Sequence, residues 1–514
     1  MNAAPSSSAG DAGGLDRGTL AIAWVVVVGA IMAILDMTVV NVAIDHLTRE
    51  LDAPLSTIQW VVTGYMLALA TVIPLTGWAA HRFGTKRLYM LSIGLFMAGS
   101  ALAGAAWSAE SLIGFRVLQG LGGGMIMPAG MTILAQAAGP QRIGRVMAIV
   151  GVPMLLGPIL GPILGGWLVD EVSWRWIFYI NVPIGIVALA LALRILPKDE
   201  PSPTERLDLL GVLLLSPGLA VLIYGLAEMA SQGVDSASVF LPIVAGLALV
   251  TAFVVHALRR ANVNPLIDLR LFAERSVGAA ALTLMLFGIA FFGAMLLLPL
   301  YFQTVRGEGA FSTGLLLAPQ GLGAMIMMPI AGRLTDTIGP GKLVLGGIPL
   351  IAATMVVLTQ VSDTTSYWLL GGTLVAMGMG MGMTMMPVMS AAFQTLSHAA
   401  VPRASTALNI IQQVGGAIGT AIMSVLLTNA IIDRLGGAAG GGAEGASSIP
   451  PDVRAQVAPQ MADAFGSTFL WAVVFLAVAF LPALLLPRTK AEALDDRDPD
   501  ADEAAAEQPV VMHV

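Results

Sequence analysis

The 514-residue chain has no cysteine, which excludes disulfides, thiolate metal sites and cysteine nucleophiles. Charge is scarce too: 11% of residues are Asp, Glu, Lys or Arg, where a soluble domain carries roughly a quarter. The pattern GxxxxGK[ST] does not occur, so a P-loop is excluded as a direct source of nucleotide energy. The histidines, His46, His81, His256, His398 and His513, stand near the ends of apolar runs or in tails. No two share a metal-ligand spacing on a helix, and no metal or other cofactor is expected. The net charge of −7 is modest and much of the acidity lies in the tails, which does not suggest nucleic acid as a partner.

What the sequence has in quantity is apolar residues, 57% of the total, with a mean hydropathy of +0.84. They come in runs of about 20, each long enough to cross a ~30 Å hydrocarbon core as a helix. The expected fold class is therefore an all-α polytopic membrane protein with the lipid bilayer as its surroundings. The runs near 19–44, 57–80, 88–106, 111–137, 146–169 and 176–197 form a first group. Those near 208–228 and 239–257 stand apart, and those near 277–300, 312–332, 342–360, 368–393, 405–430 and 466–487 form a second group. That is about fourteen spans. The expected division is a polar, disordered tail 1–18, a bundle 19–197, two inserted spans within 198–276, a second bundle 277–487 and an acidic tail 488–514. In the outer loop 431–465 the glycine-rich part is expected to be flexible, and the rest suits a short interfacial helix. The N-terminus lacks a basic stretch, and its first apolar run is too long for a signal peptide.

Lys and Arg orient the chain. Nineteen of the 25 fall on one set of alternate loops, including both tails, and five on the other; Arg116 lies inside a span. By the positive-inside rule both termini face the cytoplasm.

Two charges sit where hydration is hardest to obtain. Between Thr19 and Ile44 the only charged residue is Asp36, in AILDMTVVNVAI. A charged Asp at mid-membrane costs about 2.5–3.5 kcal/mol on insertion scales, and burial disfavours the charged form of any carboxylate. Such an acid is suited to load and release a proton; the alternative is a structural Asp bonded to a neighbouring helix. Arg116 shares a small-residue face with Gly120 and Gly124. It either meets a close neighbour or snorkels to the nearer surface. In GPILGPILGG, Gly157, Gly161 and Gly165 form a flat stripe and Pro158 and Pro162 remove backbone donors. That pattern fits ordinary close packing or a hinge and seal. The methionines of MGMGMGMTMMPVM (377–389) alternate by two and spread around a helix, which favours gap-filling over a ligand face. Asn409, Gln412 and Gln413 bring amides to one side of the thirteenth span, either to bond another helix or to bind substrate. Gln59 and Tyr65 are cavity candidates by position alone.

A short pattern recurs. GWAAHRFGTKR (77–87) follows the second span and GRLTDTIGPGK (332–342) follows the tenth, with Gly77 and Gly84 matched by Gly332 and Gly339. Recurrence at equivalent points of two six-span groups suggests a duplicated bundle. GWAAHRFGTKR resembles the inter-span motif of the major facilitator superfamily, RVLQGLGGGMIMP (116–128) its fourth-span motif, and GVPMLLGPILGPILGGW (151–167) its antiporter motif. LDMTVVNVAI (35–44), WRWIFYINVPIG (174–185) and NPLIDLRLF (264–272) are similar to signatures of the fourteen-span drug:proton antiporter branch.

The resemblance covers all fourteen spans. It implies two six-helix bundles plus two inserted spans in a bacterial inner membrane, exporting amphipathic or cationic drugs against protons by alternating access. The alternative is dedicated export of one endogenous metabolite. The resemblance further implies that Asp36 binds protons or cationic substrate, that Arg116 lines the central cavity and assists proton transfer, and that the stripe at 157–165 seals against leak. The family's loop motif has an acid that latches neighbouring helix ends. Asp336 keeps it in the second copy, whereas His81, before Arg82, stands there in the first.

Overall fold

The computed structural model describes residues 16–139, 142–199, 206–232, 236–259, 265–397, 400–435 and 451–489. Among these residues all regular structure is helical. The first group comprises α1 (Arg17–Glu50), α2 (Leu55–Val72), α3 (Leu75–Phe83), α4 (Thr85–Gly104), α5 (Ala109–Ala138), α6 (Ile143–Glu171), α7 (Trp176–Tyr179) and α8 (Asn181–Ile195). Then come α9 (Leu209–Gln232) and α10 (Ala237–Leu258). The second group comprises α11 (Arg275–Leu300), α12 (Ala310–Ile338), α13 (Pro340–Leu358), α14 (Tyr367–Gly382), α15 (Met385–Phe393), α16 (Val401–Leu435) and α17 (Pro451–Ala483).

Among the described residues, twelve helices are long and apolar enough to cross a membrane, or thirteen with the bent pair of α2 and α3. The 29-residue α6 stands outside that count, part of its side chains lying outside the described residues, so fourteen is approached but not reached by this measure. Burial separates the central helices from the peripheral ones. Over an 18-residue apolar stretch of α5, 78% of residues are buried, against 17% over such a stretch of α10. A helix in contact with lipid on most sides needs no protein partner there, which is why α10 can be apolar all round.

Sequence and structure differ in three places. The span expected over 57–80 breaks after Val72 and bends by 56°, because Pro74 has no amide hydrogen to donate into the helix. The stretches expected as inter-span loops are mostly helix: α3 runs to Phe83 and α12 to Ile338. Each turn is a single glycine, Gly84 with φ 94° and ψ 146°, and Gly339 with φ 93° and ψ 145°. Apolar runs end where lipid ends, but a helix continues as long as its polar residues can be solvated. The same reason converts the expected interfacial helix after residue 450 into the beginning of α17, which is continuous from Pro451. The glycine-rich part, 436–450, and the tails 1–15 and 490–514 lie outside the described residues.

The matching backbone of Gly84 and Gly339 gives the duplication a geometric form, and the surroundings match too. A side chain at Gly84 would collide with Asp199, beyond α8; one at Gly339 would collide with Arg488, beyond α17. Asp199 accepts from the backbone N–H of Lys86 at 2.8 Å and of Arg87 at 3.0 Å, occupying donors that the first turn of α4 leaves open. In return Lys86 Nζ donates to the carbonyls of Leu193 and Leu196 at the end of α8.

Candidate functional site: a buried Asp–Arg pair

α1, α2, α4, α5, α7 and α8 converge on Asp36. The approach is close because glycines line it. Gly120 and Gly124 on α5 meet α2 at Tyr65 and Leu69, Gly99 on α4 meets α5 at Gln119, and Gly157 and Gly161 on α6 meet α1 at Ile34 and Thr38. The stripe at 157–165 therefore packs within the first group, against α1, where Thr38 Oγ1 also donates to the Gly157 carbonyl. The side chains of Pro158 and Pro162 lie outside the described residues.

Asp36 and Arg116 are each 1% exposed and form an ion pair, Arg116 Nη1 donating to Asp36 Oδ2 at 2.6 Å. Gln119 Nε2 donates to Asp36 Oδ1 at 2.7 Å and Asn181 Nδ2 to the same oxygen at 3.0 Å. Arg116 is held in turn. Its Nη1 donates to Gln119 Oε1 at 2.7 Å, its Nε to the Val61 carbonyl at 3.2 Å, and its Cζ stands 4.1 Å from the centroid of the Tyr65 ring. Asn181 also donates to Ser100 Oγ, and Ser100 donates to the Phe178 carbonyl. Taking two charges out of water costs several kcal/mol per ion, tolerable only with short, well-aligned bonds such as these. The pair is neutral as a unit. Protonating Asp36 would leave Arg116 a buried cation without its counter-charge, so proton uptake and separation of the pair are energetically linked.

Sequence reasoning picked Asp36, Arg116 and Tyr65, and the structure brings these together. Tyr65 lies beneath the guanidinium, fully buried. Gln119, Asn181 and Ser100 were missed. Gln119 carried a signal, lying one helical turn after Arg116 on the same face, and Asn181 is a polar residue within the quoted INVPIG. Ser100, in the run SALAG, carried none. Among the described residues none of the other cavity candidates hydrogen-bonds to this cluster. Gln59 and Gln413 are exposed, Gln412 is half-buried, and Asn409 turns its Nδ2 back onto the Ser405 carbonyl of its own helix at 2.8 Å. Met377, Met381, Met385, Met386 and Met389 are all buried, as filling of the α14 and α15 core.

A second cluster joins the two groups at the end carrying the basic loops. Asp336, near the end of α12, accepts from the N–H of Gly144 at 3.0 Å and from Arg145 Nε at 2.8 Å, at the first turn of α6. Gly332 lies against Gly144, Arg145 and Ala148, just as Gly77 on α3 lies against Pro402, Arg403 and Thr406 of α16. His81, four residues after Gly77, occupies the position equivalent to Asp336, and His81 and Arg82 are half-buried in the last turn of α3. His81 lines a cavity of about 510 Å³ together with Lys86, Lys198 and Pro402. Nearby, Ser405 Oγ donates to the Pro128 carbonyl of α5. These contacts hold the groups together at the basic end.

The Asp336 contact predicts a measurable release. Hydrogen bonds to charged groups contribute about 1.5–3 kcal/mol each, enough to shift a two-state opening by about tenfold. In the natural cysteine-free chain, Ser405→Cys is a buried reporter against Pro128. Adding Asp336→Ala is expected to raise its maleimide labelling rate by about tenfold; an unchanged rate would show that the contact does not hold this end shut.

The family model of the Major Facilitator Superfamily matches residues 26–420. The chain belongs to the major facilitator superfamily. Membership makes it a multi-pass membrane transporter of small molecules, not an enzyme. Over 495 residues it is 45% identical to "Multidrug resistance protein B homolog" of Mycobacterium tuberculosis, covering 93% of this chain and 92% of the relative. It is 32% identical to "Multidrug export protein EmrB" of Haemophilus influenzae, covering 77% and 78%. It is 30% identical to "Putative multidrug resistance protein MdtD" of Serratia proteamaculans, covering 79% and 84%. The crystal structure of the human organic anion transporter MFSD10 aligns with a TM-score of 0.59 at 16% identity over 90% of this chain and 100% of that one, which concerns the fold. Outside the two groups, α9 packs on α10 and on both α2 and α16.

Proposed function

We propose that this transporter exports amphipathic or cationic drugs across a bacterial inner membrane in exchange for protons, with both termini in the cytoplasm. The observation that carries the reading is the carboxylate of Asp36, fully buried and held by a counter-charge that separation of helices can remove. The three relatives named for multidrug resistance or export support the substrate class. Asp36 carries the proton, Arg116 gives the ionised form its partner, and the Asp336 cluster latches the cytoplasmic end in the outward-facing half of the cycle. Asn409, Gln412 and Gln413 on α16, with Gln59 and Tyr65 on α2, are proposed to border the substrate path. The high share of each relative's length that is covered argues for the same kind of cargo; a dedicated exporter of one endogenous metabolite is the competing reading.

Everted membrane vesicles containing the protein test this. Energised vesicles should accumulate several fluorescent cations and quaternary ammonium compounds, and a protonophore should release them. Accumulation that survives the protonophore would refute proton coupling, and indifference to nearly the whole panel would favour the dedicated exporter.

A further inference from the structure

Two amides hold the Asp36 carboxylate, and they differ in one respect. Gln119 donates through Nε2 to Asp36 while its Oε1 accepts from Arg116, each at 2.7 Å. A guanidinium only donates, so the Gln119 amide has a single workable orientation. Asn181, 1% exposed, donates through Nδ2 to Asp36 Oδ1 and to Ser100 Oγ, each at 3.0 Å, but its Oδ1 is buried and accepts nothing. An orphaned acceptor in a dry interior is costly. Placed beside an acid, it points to a donor that is present only part of the time.

We propose that Asn181 is a positioning residue that reads the charge of Asp36, its amide turning over when the carboxylate takes up a proton. The inference rests on the reading of Asp36 as the proton carrier. While Asp36 is ionised it can only accept, and Asn181 must present Nδ2 to it. When a proton from the aqueous side binds Oδ1, an O–H bond forms at that oxygen and the N–H donation from Asn181 is lost. The amide then presents Oδ1, which accepts the new O–H. The Ser100 hydroxyl, now facing an oxygen where it had faced N–H, turns from the Phe178 carbonyl and donates to Asn181 Oδ1. No electron changes hands, and each proton except the one taken up stays on its own heavy atom. The space that now holds Oδ1 receives Nδ2, so one amide atom lacks a partner in either state and that cost drops out of the difference.

The net outcome is that a proton on α1 releases a carbonyl on α7. Phe178 lies just before the junction of α7 and α8, where Asn181 begins α8. Charge on Asp36 is thereby conveyed to the break in the sixth span. The titratable groups that face Asp36 are Arg116 from α5 and Tyr65 from α2. α4, α7 and α8 contribute Ser100, Phe178 and Asn181, and α6 contributes the glycines packed on Ile34 and Thr38.

Infrared difference spectra between acid and neutral pH test the proposal, using the full-length protein in lipid with ¹³C at the asparagine side-chain carbonyl. A protonated-carboxyl band that disappears in Asp36→Asn should rise with the same midpoint as a shift in an asparagine carbonyl band. That shift should be absent in both Asp36→Asn and Asn181→Ser. A carboxyl band without the asparagine shift would overturn the turning amide and leave the proton reading standing. Absence of the carboxyl band would overturn both. In transport, Asn181→Leu is expected to slow proton-driven export about tenfold with substrate binding kept, whereas Asn181→Ser, whose hydroxyl both donates and accepts, should stay within about threefold. Parental rate and pH profile in Asn181→Leu would also overturn it.

Discussion

Asp36→Asn should abolish accumulation against a gradient while leaving downhill exchange of substrate intact. Each net charge carried inwards across 100 mV supplies about 2.3 kcal/mol, enough for a concentration ratio of about fifty-fold. An amide carries no proton, so in proteoliposomes the steady-state ratio of an uncharged amphipathic substrate should fall to unity, while counterflow of labelled substrate persists. The single variant leaves the Arg116 guanidinium buried without a counter-charge. The measurement should therefore include the doubly neutral variant Asp36→Asn with Arg116→Gln, in which every partner can still donate or accept. Uphill transport at the parental ratio in either variant would place the coupling acid elsewhere.

Arg116→Leu is expected to be the most destabilising single substitution at the site, by about 3–5 kcal/mol. It removes the counter-charge, the donors to Gln119 and the Val61 carbonyl, and the cation over the Tyr65 ring, and strands a buried carboxylate. The doubly neutral variant should lose less than either Arg116→Gln or Asp36→Asn alone, because no ion is left without its partner. Denaturation of the purified protein in detergent, followed by near-UV signal, would measure this cycle. If losses in the two single variants simply added in the double, the two charges would not be energetically joined. In whatever fraction of Arg116→Leu remains folded, the pH profile of transport should also change; the parental profile would mean that the guanidinium does not act on the acid.

Much of this was legible in the linear sequence, for physical reasons that can be named. Asp36 and Arg116 stood out because a charge within twenty apolar residues is expensive, and an expense of that size needs a partner. The spans were legible because a continuous run of about twenty apolar residues can satisfy its own backbone in lipid only as a helix. The repeat was legible because Gly84 and Gly339 adopt a φ that side chains seldom tolerate, so glycine recurs where the geometry recurs. What stayed hidden was pairing in space. Ser100 and Asn181 are ordinary polar residues until α4 and α8 are placed beside α1, and 81 and 145 positions separate them from their partners. The apolar-run boundaries also misplaced the inter-span turns, since hydropathy reports the edge of lipid and is silent about where hydrogen bonding stops. The glycine stripe on α6 announced a close neighbour but not its identity, and α1 took that place.

The position of α9 makes the protein lopsided. Leu222 and Leu226 of α9 pack with Ala421 of α16, while Trp60 of α2 stacks on Tyr224 with ring centroids 5.9 Å apart. One flank of the molecule is thus buttressed by a third helix, whereas on the opposite flank α6 and α12 meet directly, with Leu160, Leu322, Ile326 and Ile330 turned outwards. Any swing that parts the two flanks must drag the buttress along on one side and meets only fluid hydrocarbon on the other.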